Sequence, residues 1–175
     1  MYDLLIDFKK KNWYNLNKEN KKKRGVNNYD MLPEKKIEKY LRNAKIVSLL
    51  SDNKKTRVGC VVVYKNKIIS MGHNYENKTS PLQKKYNELR GYDPNDSISR
   101  NTLHAEIDAL LSIEQNVENY NKIHLFIVRS KRDESNGIAR PCPACMGLIK
   151  KMGIKNIYYS TENGPGSWCY EKIKE

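Results

Sequence analysis

The chain has 175 residues, with 33 lysines and arginines against 20 acidic residues and a formal net charge of +13. This length suits one domain and is enough to bury a core without disulfide bridges. The sequence holds no run of about 18 apolar residues, and no basic region precedes an apolar stretch at its start, so neither a membrane span nor a secretory signal is expected. We therefore expect a cytoplasmic protein with no membrane partner, whose four cysteines are metal ligands or core residues.

The basic charge can attract nucleic acid or free nucleotides, but a composition rich in lysine and asparagine explains it equally well, so the charge does not choose a substrate. Residues 1–32 are predicted to be a basic N-terminal extension. Leu4, Leu5 and Phe8 fit one face of a helix there. The basic run 18–24 is either an arm for phosphates or a solvated linker, and the linker is favoured.

Residues 33–175 are predicted to form the folded domain, which starts at Pro33, a favoured first residue of a helix. Apolar residues then recur at steps of three and four and predict an amphipathic helix from Glu34 to about Ser51. Next come strands 58–64 and 67–72, joined by a turn at Asn66, and then a polar loop 75–101 that contains a short helix near 82–89. A helix from Thr102 to about Gln115, a strand 122–129 and a loop 130–140 follow. The last elements are a helix 142–151, a strand 154–160, a turn 162–166 and a final strand or helical turn 167–173. Helices alternate with strands after the first hairpin, which predicts an α/β fold with a central mixed sheet and helices on both faces.

Two short segments carry metal chemistry, and each opens a predicted helix: His104-Ala-Glu106 and Pro141-Cys-Pro-Ala-Cys145. Cys142 and Cys145 are three residues apart, so the first helical turn puts both sulfurs on one side, and the positive end of the helix dipole favours thiolates. His104 supplies a third ligand from the other helix. Zinc takes imidazole nitrogen and thiolate sulfur in a tetrahedron, and three protein ligands leave the fourth position for water, as in catalytic sites.

Glu106 lies two residues after a ligand and is predicted to be the catalytic carboxylate. From there it could accept a proton from the water and pass it to a leaving group. The alternatives for the two motifs are a structural zinc site or a redox pair, and both are less favoured because each motif opens a helix after an extended segment. Cys60 and His124 are predicted to be core residues, and neither Cys60 nor Cys169 has a paired spacing.

The sequence from about Glu34 to Ser160 resembles the zinc-dependent cytidine/deoxycytidylate deaminase superfamily. The resemblance lies in four segments: Arg57-Val-Gly-Cys-Val-Val-Val63, Gly72-His-Asn74, His104-Ala-Glu106 and Arg140-Pro-Cys-Pro-Ala-Cys145. It implies a three-layer α/β/α sandwich with a sheet of four to five strands, a zinc cofactor, and a deaminase domain over 33–175 that removes an exocyclic amine by hydrolysis. The likeness is strongest to small deoxycytidylate deaminase-like proteins of phages and large viruses.

Three residues are predicted to bind the substrate. Asn74 matches the family's strand-end asparagine, which contacts the substrate sugar, although by spacing alone it could equally cap a turn. Ala105, which lies between the predicted ligand His104 and the carboxylate of Glu106, is also predicted to bind the substrate. Arg140, or alternatively Arg100, lies beside a motif and could bind a 5′-phosphate, or could brace a loop.

Two departures from the family pattern narrow these expectations. The loop after Gly72-His-Asn74 lacks the Gly-Tyr-Asn-Gly type of sequence found in deoxycytidylate deaminases, which puts their regulatory triphosphate site in doubt. The 15 residues after Ser160 are too few for the helix and parallel strand that end those enzymes. With the turn 162–166, an antiparallel hairpin fits better, as in the free cytidine deaminases.

The favoured function is deamination of a cytosine nucleoside or nucleotide, with dCMP as the expected substrate and dUMP and ammonia as the products. The alternative is a cytosine or adenine deaminase of single-stranded DNA or RNA, for which the charge, the extension and the aromatic rings of Tyr86 and Tyr92 would suit phosphates and stacked bases. A third hypothesis, a zinc protein that binds nucleic acid without catalysis, is disfavoured because it has no use for Glu106. A homo-oligomer is expected by analogy with relatives.

Overall fold

The computed structural model describes residues 31–53, 55–91, 101–114, 116–164 and 166–174. The expectations for the N-terminal helical face, the basic run 18–24, Tyr92 and Arg100 therefore lie outside the described residues. The division into a basic extension and a deaminase domain stays a prediction. No helix within the described ranges is both long and apolar enough to cross a membrane.

The described chain alternates between helices and strands from Glu34 onward. The α-helices are α1 (Glu34–Ser48), α2 (Pro81–Asn87), α3 (Ala105–Leu111) and α4 (Pro143–Lys151), and 3₁₀ turns follow at Glu88–Arg90 and Tyr120–Lys122. The strands are β1 (Arg57–Tyr64), β2 (Lys67–His73), β3 (His124–Ser130), β4 (Asn136–Gly137), β5 (Asn156–Ser160) and β6 (Trp168–Lys172).

Three predicted elements differ from the observed ones. Helix α3 begins at Ala105 rather than at Thr102, because His104 keeps an extended backbone and caps the helix, and it ends at Leu111. Helix α1 ends three residues before the predicted Ser51. The predicted loop 130–140 contains the two-residue strand β4, which pairs with the end of β3.

The sheet is mixed and has the strand order β2-β1-β3-β5-β6, with β4 beside β3. Strand β1 pairs antiparallel with both β2 and β3, and β3 and β5 are parallel. Strand β6 returns antiparallel to β5, so the predicted C-terminal hairpin is confirmed and the segment 167–173 is not a helical turn. The parallel pair follows from the crossover through α4, since a parallel connection needs a chain long enough to return along one face of the sheet.

The two faces of the sheet carry different helices, which confirms the α/β/α sandwich. On one face α1 covers β1 and β3, and its Tyr40 ring lies 5.0 Å from the ring of Phe126. On the other face Cys60, Ile127 and Ile157 join the apolar residues of α3 and α4 in one buried cluster. Side chains alternate between the faces along each strand. The metal-bearing helix starts are thus on the α3–α4 face.

Candidate metal centre

The two helices that carry the predicted ligands begin in the same way. His104 is the N-cap residue of α3 and Cys142 is the N-cap residue of α4, with φ/ψ of −84°/151° and −69°/167°. Neither side chain bonds to the backbone of its own helix, as an ordinary N-cap side chain would. Pro143 occupies the first turn of α4, where its missing N–H costs no intrahelical bond. Both side chains are therefore available for a partner outside their helix.

The three predicted metal ligands come together at these helix starts. Nδ1 of His104 lies 3.5 Å from Sγ of Cys142 and 3.4 Å from Sγ of Cys145. The three ligand atoms all lie within 4.8 Å of one another. Zinc bonds of about 2.1 Å to nitrogen and 2.3 Å to sulfur, at a tetrahedral angle, place those two atoms about 3.6 Å apart. The donor atoms and their spacing therefore fit a tetrahedral zinc ion.

The two sulfurs differ in their affinity for a proton. Hydrogen bonds from Cys145 and from His104 lower the pKa of Cys142 to about 3, although burial opposes them. Burial raises the pKa of Cys145, and the neighbouring Cys142 sulfur raises it further. A bound zinc ion deprotonates coordinating thiols, so it would turn both into ligands.

Glu106 lies in the first turn of α3 and is 6% exposed. Burial raises the pKa of its carboxyl group, the His104 ring lowers it and the Cys142 sulfur raises it. The carboxyl group is also hydrogen-bonded with the side chain of Cys145. Glu106 is thus a buried carboxyl group in contact with the metal-binding cluster, and a raised pKa suits a group that must both take and return a proton.

Helix α3 is held against the end of β2 by close contacts. The Oδ2 atom of Asp108 accepts a hydrogen bond from the backbone N–H of His73 at 3.1 Å, and Ser70 donates its hydroxyl hydrogen to the carbonyl oxygen of Ala109 at 2.5 Å. A Cβ atom on Gly72 would overlap the backbone nitrogen of Ala109 and lie 2.6 Å from the carbonyl oxygen of Ala105. Only glycine fits here, and the close approach fixes the height of His104 and Glu106 over the sheet.

A set of polar residues beside His104 was missed by the sequence analysis. The Oε1 atom of Gln83 accepts a hydrogen bond from the backbone N–H of His104 at 3.0 Å, and NH1 of Arg90 lies 2.9 Å from Nε2 of the same residue. Burial lowers the pKa of His104, but the hydrogen bond to Cys142 and the charge of Glu106 outweigh it and leave that pKa raised. The one signal in the sequence was the pair Ser80-Pro81, which marks the start of α2.

Asn74 is held by the strand next to it. Its Oδ1 accepts a hydrogen bond from the N–H of Val58 at 2.7 Å, and its Nδ2 donates to the carbonyl oxygen of Thr56 at 2.8 Å. The side chain therefore extends the pairing of β1 and β2 past the end of β2. One hydrogen of Nδ2 and one lone pair of Oδ1 are left over from these two bonds. Its contact with a sugar stays a prediction.

Arg140 forms a bidentate ion pair with Glu171 of β6, with both nitrogen–oxygen distances at 2.8 Å. This pair braces the segment before α4, and a phosphate would have to compete with the Glu171 carboxylate for the guanidinium group. The substrate role of Arg140 therefore stays a prediction, as does that of Ala105, which is fully buried.

Of the two residues predicted to lie in the core, one is fully buried and the other only partly. Cys60 is fully buried, and burial raises the pKa of its thiol. The prediction for His124 is wrong, because as the first residue of β3 it lies at the end of the strand and is only half-buried, with its ring 5.9 Å from that of Tyr158. Within the described part of the chain its Nδ1 atom has no hydrogen-bond partner.

Comparison with known families agrees with this geometry. The model of the cytidine and deoxycytidylate deaminase zinc-binding region matches residues 34–161, which include all three ligands and Glu106. The chain belongs to the cytidine and deoxycytidylate deaminase family. The family predicted from the sequence is thereby confirmed, and so is the expectation of zinc as its cofactor.

Individual relatives in this family are distant. A probable deoxycytidylate deaminase of Caenorhabditis elegans is 28% identical over 128 residues, which are 71% of this chain and 57% of the relative. The matched part of the chain thus spans little more than half of that relative.

Solved structures show the same fold. The dCMP deaminase of cyanophage S-TIM5 in its apo form is 29% identical, has a TM-score of 0.51, and is matched over 76% of this chain and 87% of its own. The structure of the same enzyme in complex with dCMP and dUMP gives 25% identity and a TM-score of 0.52, over 75% and 85% of the two chains. A cytidine deaminase of Burkholderia pseudomallei, at 17% identity and a TM-score of 0.52 over 77% and 90% of the chains, shares the fold. The predicted likeness to phage proteins is therefore confirmed.

Proposed function

We propose that this chain deaminates a cytosine nucleotide, converting dCMP and water to dUMP and ammonia. The observation that carries the proposal is the juxtaposition of a His-Cys-Cys cluster of zinc spacing with the buried carboxyl group of Glu106. The family supports hydrolytic deamination, and the cyanophage relative that was solved with dCMP and dUMP supports this substrate.

In this proposal, His104, Cys142 and Cys145 hold zinc and Glu106 moves the protons. A zinc ion held by these residues would supply a nucleophile at neutral pH, because zinc lowers the pKa of a bound water toward about 7. Glu106 would accept the proton that the attacking water loses and deliver it to N3 of the cytosine ring. It would then take the proton of the hydroxyl group added at C4 and pass it to the amine, so that ammonia leaves and the C4 carbonyl forms. Its contact with the cluster supports this role, because a proton carrier must lie within hydrogen-bond reach of the groups it serves.

The substrate contacts are proposed from the same end of the sheet. Asn74 would use its remaining hydrogen-bonding capacity for the sugar hydroxyl. Ala105 would offer its backbone N–H, since the first turn of a helix leaves such donors without an intrahelical partner. Arg140 would exchange Glu171 for the 5′-phosphate, a competition between two anions for one guanidinium group.

A substrate panel tests the proposal. The zinc-loaded protein is incubated with dCMP, deoxycytidine, cytidine and a cytosine-containing single-stranded oligonucleotide, and the release of ammonia is followed. The proposal predicts turnover of dCMP and no turnover of the oligonucleotide. Turnover of the oligonucleotide alone would replace it by deamination of a polymer, and zinc binding without turnover of any compound would favour a non-catalytic protein.

One feature supports the polymer as a second candidate. A groove of about 190 Å³ lies where β1 begins and β3 ends, and its basic residues are Lys45, Lys55, Arg57, Lys131 and Arg132. One of them, Lys131, is paired with Glu162 at 2.8 Å. Arg57→Glu should weaken oligonucleotide binding at least tenfold if the groove tracks a phosphate backbone. Lys150→Glu on α4 is the matched control, because it changes the net charge equally. Equal losses of binding in both variants would mean that the groove contributes only through the net charge of the protein and is not a specific binding site.

Two further expectations belong to the proposal. An intracellular place of action is supported by the four cysteines, all of which lie within the described residues and none of which forms a disulfide. A homo-oligomer stays a prediction by analogy, and sedimentation of the purified protein would decide it.

A further inference from the structure

Two buried amides in α2 have no role in the mechanism above. Gln83 and Asn87 are one helical turn apart, and both are fully buried. An apolar side chain would fill such positions without the cost of removing a polar group from water. Buried amides are tolerated when their hydrogen bonds are made, and what these bonds connect indicates what the residues do.

The bonds of the two amides form one chain that ends on a metal ligand. Nε2 of Gln83 donates to Oδ1 of Asn87 at 2.7 Å, and Nδ2 of Asn87 donates to Oδ1 of Asn101 at 2.8 Å. Oε1 of Gln83 accepts the hydrogen bond from the backbone N–H of His104. The other end of the chain is Asn101. Ser80 fixes the backbone of Gln83, since its hydroxyl oxygen accepts a hydrogen bond from the backbone N–H of Gln83 at 3.0 Å. The chain thus fixes the backbone of His104 just where α3 begins.

The same segment also touches the helix that carries the two sulfurs. Gly147 of α4 faces α2, and a Cβ atom there would overlap the side chain of Leu89 and lie 3.1 Å from the ring of Tyr86. Residues 81–90 therefore contact both metal-bearing helices: α3 through the hydrogen bond to His104, and α4 through Tyr86 and Leu89.

We propose that residues 81–90 are the positioning element of the metal centre, with Gln83 as the positioning residue for His104. The inference rests on the proposed zinc site. By holding the start of α3 through Gln83 and packing on α4 at Gly147, the segment sets the 3.4–3.5 Å distances between Nδ1 and the two sulfurs. Outer groups that orient metal ligands change metal affinity by about 10- to 100-fold when they are removed.

Arg90 is the part of this element that must change when metal binds. A neutral imidazole that binds metal through Nδ1 carries its hydrogen on Nε2, and a guanidinium group can only donate. The two donors could not remain 2.9 Å apart. Arg90 would then turn toward an acceptor such as Oδ1 of Asn87, which its NH1 already reaches at 3.5 Å.

The test compares zinc affinity in three variants of the full chain, by competition with a chromophoric chelator. Gln83→Met keeps the side-chain volume and removes the bond to His104. Asn156→Leu is the matched control, because Asn156 is also a buried amide, bonded to the hydroxyl of Tyr170. Asn101→Ala is the milder second variant, which takes the acceptor from Asn87. Cobalt in place of zinc adds a visible spectrum that reports the geometry of the ligands.

The proposal predicts that Gln83→Met weakens zinc binding about 10- to 100-fold and alters the cobalt spectrum. Asn101→Ala should weaken zinc binding about threefold or more. If Gln83→Met does not fold, the zinc affinity of Asn101→Ala by itself tests the positioning role. Asn156→Leu should leave zinc affinity unchanged. Wild-type affinity in Gln83→Met, or an equal loss in the control, would overturn the positioning role. A wild-type chain that binds no zinc would instead overturn the proposed site itself.

Discussion

Replacing Gly72 by alanine should damage the site through helix α3. The added Cβ would lie 2.6 Å from the carbonyl oxygen of Ala105, whereas ordinary contacts begin at 3.4 Å, so α3 must move by 3.4 − 2.6 = 0.8 Å or more. The opposing atoms are backbone, which cannot rotate away. Overpacking of this kind costs about 1–3 kcal/mol of folding free energy, or a fall in Tm of about 2–12 °C for a chain of this size. Because His104 and Glu106 lie at the start of α3, a shift near 1 Å should lower kcat about 100-fold.

Gly59→Ala is the matched control for this experiment. Its Cβ would overlap backbone atoms of Ala44 and Ser48 in α1, on the opposite face of the same strand pair. Thermal unfolding should show comparable losses for both variants, while zinc affinity and dCMP turnover should fall in Gly72→Ala alone. If Gly72→Ala is folded and turns over dCMP at the wild-type rate, or if Gly59→Ala loses as much activity, the height of α3 does not control the site.

Two further variants probe single residues. Burial lowers the pKa of His124 to about 4, so its neutral form stabilises the fold above pH 6.5 and this contribution is lost as the pH falls toward 4. His124→Phe should abolish that loss, which is at most about 3 kcal/mol and smaller with solvent screening, and denaturant unfolding at pH 7 and pH 4.5 measures it. Arg140→Gln should raise KM for dCMP about tenfold and leave KM for deoxycytidine unchanged. Equal KM values for wild type and variant would leave Arg140 as a brace for Glu171.

The ligand set was predictable because it is encoded locally. His104 and Cys142 each precede a helical pattern. An N-cap residue has a non-helical backbone conformation that depends mainly on its neighbours in sequence, not on the rest of the fold. The sheet order was predictable in part, since β1 and β2 are joined by a tight turn and the predicted turn 162–166 after Ser160 favours an antiparallel return. These signals depend on a few neighbouring residues.

The support of the site was not predictable in the same way. Gln83 and Asn87 lie in a polar stretch, where an amide that will be buried looks the same as one that faces solvent. Their hydrogen-bond partners Asn101 and His104 lie 14 or more residues further along the chain, and α4, which packs on α2 at Gly147, lies further still. The ion pair between Arg140 and Glu171 likewise exists because β6 returns beside β5, which no local pattern shows.

The central claim is that a three-ligand zinc site and a separate proton carrier together deaminate a cytosine nucleotide. The most direct measurement is the zinc content and dCMP turnover of Glu106→Gln beside the wild-type chain. The account predicts one zinc ion per chain in both proteins and a fall in turnover of about 100-fold or more in the variant, because its amide cannot carry the proton. A variant that loses its zinc, or one that turns over dCMP at the wild-type rate, would contradict it.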